Sequence, residues 1–211
     1  MTSTTPVQRW RHIELILDRS ISMHAIKDQT EDGIRAFLSD QRQVDGRTTV
    51  SLTQFDDEPE LVFANCDLAN VPEIRLEPRG NTAMLDAIGQ TITRTRRFVR
   101  GRPKPRRPDE IIIVILTDGH ENASHAFDSP TVRAMIGELR GKKRSWQFVF
   151  MGATTGVEAF AWRLGIAPSS VVRFDHDLSE AALTAASHMI RRGSESGLYR
   201  FTDEERRATR H

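Results

Sequence analysis

Ile111-Ile112-Ile113-Val114-Ile115-Leu116-Thr117-Asp118-Gly119 is the stretch that decides the fold. Six consecutive apolar residues, five of them β-branched, predict a strand at residues 111–116. A run without polar alternation suits a central parallel strand covered on both faces. The polar Thr-Asp-Gly that follows stands where such a strand ends, and in open α/β sheets ligand sites gather at the C-terminal ends of strands. Working outward, residues 13–17 (Ile-Glu-Leu-Ile-Leu) read as a second buried strand, ending at Asp18. Residues 146–151 and 171–174 read as further strands. Residues 49–55 and 60–64 read as the arms of a hairpin around Asp56-Asp57-Glu58-Pro59. Helical spacing of apolar residues marks 25–43, 83–99, 131–140, 156–164 and 178–190. Residues 65–79 are expected to be irregular, with Pro72 and Pro78 limiting regular structure.

Strands alternating with helices predict an α/β fold: a doubly wound, mostly parallel sheet of about six strands with one antiparallel edge strand and helices on both faces. The sequence shows no internal repeat and no linker. One domain over residues 10–191 is expected, preceded by an extension at 1–9 and followed by a polar tail at 192–211, where Thr202-Asp-Glu-Glu205 has the pattern of a helix-capping box.

Composition narrows the function. The 30 Lys and Arg against 29 Asp and Glu give a net charge of +1, which disfavours nucleic acid as the main partner without excluding a local basic patch. The run Arg100, Arg102, Lys104, Arg106, Arg107 reads as a solvated loop opposite the ends that carry Asp18 and Asp118. The lone Cys66 can form neither an internal disulfide nor a multi-cysteine zinc site. No apolar run is long enough to span a bilayer, and the first residues lack a secretory pattern, so a cytoplasmic monomer is expected. Trp10, Trp146 and Trp162 read as core or edge packing.

Three polar loops follow strands or open helices: Asp18-Arg-Ser-Ile-Ser22, Arg79-Gly-Asn-Thr82 and Thr117-Asp-Gly119. Two carboxylates and three hydroxyls suit a hard cation with oxygen ligands, Mg²⁺ first, with Mn²⁺ and Ca²⁺ as alternatives; the lack of His and Cys in the set disfavours zinc and copper. Asp18, Ser20 and Ser22 alternate in one tight loop, and Gly119 would let the chain turn after Asp118. Around this set, Asp86 reads as an acceptor for a site hydroxyl or amide, or as a carboxylate favoured by the helix dipole. His120 and Glu121, with Asn122, read as shaping the rim.

This constellation resembles the metal-ion-dependent adhesion site of von Willebrand factor A domains: D-x-S-x-S at 18–22, Thr82 within Gly-Asn-Thr-Ala-Met-Leu-Asp, and Leu-Thr-Asp-Gly-x-Glu-Asn-Ala-Ser at 116–124. It is most similar to small stand-alone bacterial or phage-borne members. The resemblance implies that Ser20 and Ser22 bind the metal directly, and that Thr82 binds directly in one state and through water in another. Asp18 and Asp118 would act directly or through water and anchor the seryl hydroxyls. A sixth position would be left for water or for an Asp or Glu carboxylate of a partner protein. Ile21 departs from the glycine common at that place, and would be strained if the backbone there needed a positive φ. The alternative is a metal-dependent hydrolase or phosphatase on a similar scaffold. Against it, Ser20 stands where a phosphoaspartyl enzyme carries a second Asp, and no phosphate-binding loop or nucleophile elbow is present.

Overall fold

A computed structural model of the chain describes residues 9–140 and 145–211. Residues 1–8 of the expected N-terminal extension lie outside the described residues. One six-stranded sheet forms the centre: β1 (Trp10–Asp18), β2 (Arg47–Phe55), β3 (Pro59–Asp67), β4 (Glu110–Thr117), β5 (Ser145–Gly152) and β6 (Val171–Arg173), in the order β3-β2-β1-β4-β5-β6. Every pairing is parallel except β2 with β3. The mixed sheet with one antiparallel edge is the one its sequence predicts.

Strand β4 is buried at every residue because the two faces of its run feed two cores. Ile112, Val114 and Leu116 join Ile13, Leu15 and Leu17 beneath α1 (Lys27–Gln41) and α5 (Ser179–Ser196). Ile111, Ile113 and Ile115 join Ile16 and Phe148 beneath α2 (Met84–Arg100), α3 (Ser129–Arg140) and α4 (Val157–Arg163). Period-2 alternation along a strand thus serves two apolar layers.

Several boundaries move. A 3-10 turn at Ile21–Ile26 precedes α1, so the first helix is regular only from Lys27. The largest change concerns residues 192–211, set apart by composition as a tail. Here α5 runs through to Ser196, and Tyr199 and Phe201 are buried in the α1/α5 core. The expected capping box opens a last helix, α6 (Asp203–Ala208): Thr202 Oγ1 accepts from Glu205 N at 3.1 Å and Glu205 Oε2 accepts from Thr202 N at 2.8 Å. Polar composition misled because two aromatics suffice to dock the segment. Trp162 also departs from expectation, being 60% exposed, whereas Trp146 is buried.

The order β3-β2-β1-β4-β5-β6 reverses chain direction across the sheet between β1 and β4. At such a switch point the loops leave in opposite directions and open a crevice at the C-terminal strand ends. Asp18 closes β1 and Asp118 follows β4, so the topology alone brings the two carboxylates together.

Candidate metal centre

Asp18 is fully buried and holds both sides of the crevice. Its Oδ1 accepts from Ser20 N at 2.7 Å and its Oδ2 from Thr117 Oγ1 at 2.5 Å. Ser20 Oγ lies 3.1 Å from Ser22 Oγ, and Ser22 Oγ donates to Asp118 Oδ1 at 2.6 Å. Thr82 reaches the same place from the start of α2. A methyl group on Gly119 would stand 3.2 Å from Thr82 Oγ1, 3.6 Å from Ser22 Oγ and 3.8 Å from Asp18 Oδ2. The predicted set of Asp18, Ser20, Ser22, Thr82 and Asp118 therefore converges. Gly119 matters for a different reason from the one expected: its φ is not positive, and what it supplies is room, since a side chain there would fill the hollow between the three oxygens.

Burial pushes the Asp18 carboxyl up to about 6, against the bonds from Ser20 and Thr117, and the charge of Asp118 adds to the rise. Among the described residues no Lys or Arg pairs with Asp18. Arg19, next to it, turns away to Asp56 (2.8 Å) and Glu60 (2.8 Å). A group of three His, Cys, Asp or Glu ligands is likewise missing among the described residues, so an ion here would draw on hydroxyls to complete its shell. The donor set fits a hard divalent cation: two carboxylates short of positive charge and three hydroxyls around one hollow.

Main-chain ties lock the loops at 18–22 and 79–82 to one another and to the end of β2. Arg19 N donates to Phe55 O (2.8 Å), Arg79 N to Arg19 O (2.8 Å), Ile21 N to Gly80 O (3.2 Å) and Ala83 N to Asp56 O (2.7 Å). Gly80 sits at φ +66°, a conformation that glycine adopts without strain. Ile21 needs no such conformation: among the described residues Asn65 is the one non-glycine with positive φ. The departure from glycine at position 21 is therefore free of backbone strain, and leaves an isoleucine 63% exposed at the rim.

The residues after Asp118 act on α2. Its first backbone N–H groups lack partners within the helix, and its own N-cap residue, Ala83, supplies none. Glu121 Oε2 accepts from Leu85 N (2.8 Å) and Ser124 Oγ from Asp86 N (3.0 Å). In return Asp86 accepts from the amides of His125, Ala126 and Phe127 at 2.8–3.2 Å. Of the two roles read for Asp86, this is the amide acceptor; it binds the loop, and no bond joins it to a hydroxyl of the centre. Asn122 grips the main chain of Thr82 twice: Asn122 Oδ1 accepts from Thr82 N (2.8 Å), and Asn122 N donates to Thr82 O (3.1 Å). We expect Asn122→Ala to weaken cation binding roughly tenfold with α2 intact, as loss of a supporting group around a ligand does; titration calorimetry with Mn²⁺ beside a circular dichroism spectrum measures both.

Two further residues take part, Thr117 and His176. Thr117, inside the Thr-Asp-Gly motif, bridges Asp18 to the end of β4. His176, half-exposed after β6, places Nε2 3.1 Å from Asp118 Oδ2. Its distance in sequence hid it, and only the β5–β6 pairing brings it close. His120 and His24 are exposed, His120 at the mouth of a pocket of about 250 Å³ that adjoins Gly119.

Comparison with solved structures agrees with this architecture. The mussel byssus proximal thread matrix protein 1, in a form described as having a zinc-occupied MIDAS motif, superposes with a TM-score of 0.63 at 17% identity, covering 88% of this chain and 46% of that one. A von Willebrand factor type A structure from Catenulispora acidiphila gives 0.55 at 14%, covering 85% and 43%. The ArnB paralog VWA2 from Sulfolobus acidocaldarius gives 0.54 at 12%, covering 83% and 44%. The chain thus spans less than half the length of each of these proteins. No protein-family profile matches the sequence, and no curated protein matches it. What the likeness shows is the fold: this is a von Willebrand factor A fold.

Proposed function

We propose that this von Willebrand factor A fold serves as a divalent-cation-dependent protein-binding module. The ion would be held by Asp18, Ser20, Ser22, Thr82 and Asp118, and would take an Asp or Glu carboxylate from a partner protein. The observation that carries the reading is the hollow beside Gly119: Asp18 Oδ2, Ser22 Oγ and Thr82 Oγ1 border it, Ser22 is bonded in turn to Ser20 and Asp118, and no Lys or Arg among the described residues neutralises Asp18. All-oxygen ligands favour Mg²⁺. The zinc in the mussel protein's motif makes zinc a necessary comparison in any test. The ion would supply positive charge at a fixed, half-open position. Ser22 is exposed, so a carboxylate can approach from solvent.

Binding is preferred to hydrolysis because the one carboxylate in contact with the Ser22 hydroxyl belongs to the proposed ion's own shell and is not free to act as a base. Ser22 donates to Asp118, which is itself engaged with His176. That histidine is the one feature favouring the hydrolase; Mg²⁺-dependent turnover of a phosphate ester lost in His176→Ala would reverse the preference.

The test is a selection of displayed random peptides in Mg²⁺ with elution by EDTA. Enrichment of Asp or Glu in the eluted peptides, absent with Asp118→Ala, is expected. Peptides that elute with EDTA but show no acidic enrichment would refute carboxylate capture.

A further inference from the structure

The end of the sheet opposite the metal centre holds a second feature. There the N-terminal strand ends meet the C-terminus of α2 and the loop at residues 101–108. Arg97 and Arg100 lie in the last turn of α2, and Arg102, Arg106 and Arg107 in the loop. Among the described residues none of these five arginines has a carboxylate partner, whereas Arg47, Arg94 and Arg96 beside them each have one. Nearby carboxylates are already engaged: Asp67 with Arg47 at 3.0 Å, Glu138 with Arg96 at 2.7 Å, and Asp109 with Trp10 N at 2.8 Å. The net charge of +1 therefore conceals a segregated basic surface. A shallow groove of about 400 Å³ runs between Arg96, Arg97 and Arg100.

The surface is also pre-set. Arg107 Nε donates to Arg102 O at 2.6 Å, Arg102 Nη1 donates to Phe98 O at 3.1 Å, and the Arg102 guanidinium lies 3.7 Å over the Phe98 ring. Pro103, Pro105 and Pro108 limit the loop's freedom. Guanidiniums held in place lose little entropy on binding, and their planar forks match phosphate oxygens.

We infer that this arginine surface binds the phosphodiester backbone of duplex nucleic acid, independently of base sequence and of the metal centre. The nearby aromatic faces are already covered: Arg102 lies over Phe98, and Arg47 over Trp10 at 4.8 Å. No stacking platform is left there for a base, so contacts fall on phosphates. Two anchored guanidiniums, Arg102 and Arg107, flanked by three exposed ones of the same sign, fit the regularly spaced charges of a polyanion.

The test is fluorescence anisotropy of the full chain in EDTA with labelled mixed-sequence duplexes, one of DNA and one of RNA, and with polyglutamate as competitor. Five phosphate contacts predict a Kd that rises roughly 500-fold between about 50 and 200 mM salt. In the triple variant Arg97→Gln, Arg100→Gln, Arg106→Gln the rise falls to roughly tenfold, and binding at low salt weakens. These exposed side chains make no side-chain hydrogen bond among the described residues, so the variant is expected to fold, which circular dichroism checks. The two duplex arms tell DNA from RNA. Equal binding by the variant, or no binding of either duplex, overturns the inference; polyglutamate capture without duplex binding makes the surface a dock for acidic protein instead.

Discussion

Asp18→Asn is expected to weaken divalent-cation binding by about 100-fold or more while making the cation-free protein more stable at neutral pH. The two effects have one cause. Burial raises the folded-state pKa of Asp18 to about 6, above its ordinary value of 3.8. A carboxyl whose folded pKa is raised favours folding only in its protonated form, so above that window its charge costs stability. Asparagine removes the charge and keeps the shape. Its Oδ1 can still accept from Ser20 N, and its NH₂ can donate to Thr117 Oγ1, which in turn lies 3.3 Å from Gly119 O. The site would keep its geometry and lose half its formal negative charge. Thermal melts in EDTA and in Mn²⁺, with calorimetric titration, separate the outcomes. Wild type should melt lower than the variant in EDTA and gain on adding the ion; the variant should gain nothing. An Asp18→Asn variant that binds Mn²⁺ like wild type would remove the metal assignment.

What the sequence made legible, and what it hid, follows from where the information sits. The β4 run and the loops after it are local: one stretch of apolar residues sets the strand, and the next three residues set the site. The order of the three loops along the chain then sufficed to place them at one edge, because β1 and β4 are neighbours at the switch point. The contacts that hold the site in place were not local. Asn122 meets Thr82 across 40 positions, and His176 meets Asp118 across 58. Side chains of ordinary polarity at such separations leave no periodic trace. Charge behaved differently: the run from Arg100 to Arg107 was visible in the sequence, and the fold adds that these arginines lack carboxylate partners among the described residues. Residues 192–211 misled for a related reason, since the burial of Tyr199 and Phe201 is a tertiary fact on a polar background.

The largest stability effect is expected from a charged group inside an otherwise apolar strand. Glu14 on β1 is buried on the α2 face, where an apolar residue would be ordinary. Its carboxylate accepts from Thr95 Oγ1 at 2.5 Å and from Arg94 Nη2 at 2.7 Å, both on α2, and lies 3.0 Å from His12 Nε2. His12 continues to Thr49 Oγ1 on β2 at 2.9 Å. One carboxylate thus ties α2 to the two strands beneath it, and α2 is the helix at whose start Thr82 stands. Burial pushes the Glu14 carboxyl up, but the bond from His12, with those from Arg94 and Thr95, outweighs burial and leaves its pKa lowered. Removing the carboxylate takes the partner from Arg94 Nη2 and from His12 Nε2, leaving His12 its bond to Thr49. Glu14→Ala is therefore expected to cost about 3–5 kcal/mol of unfolding free energy, the scale found when one member of a buried charged set is deleted. Glu14→Gln keeps the volume and part of the bonding, and should cost less. The pH dependence has a fixed sign. Because the folded pKa is depressed, the stabilisation is complete above the unfolded value of about 4.3 and drains as pH falls through that value toward the folded one. Chemical denaturation across this range should give Glu14→Gln a flatter acid limb than wild type. Parallel acid limbs would show that Glu14 is not ionised in the folded protein, and a loss below about 1 kcal/mol in Glu14→Ala would show that α2 is held by its apolar face alone.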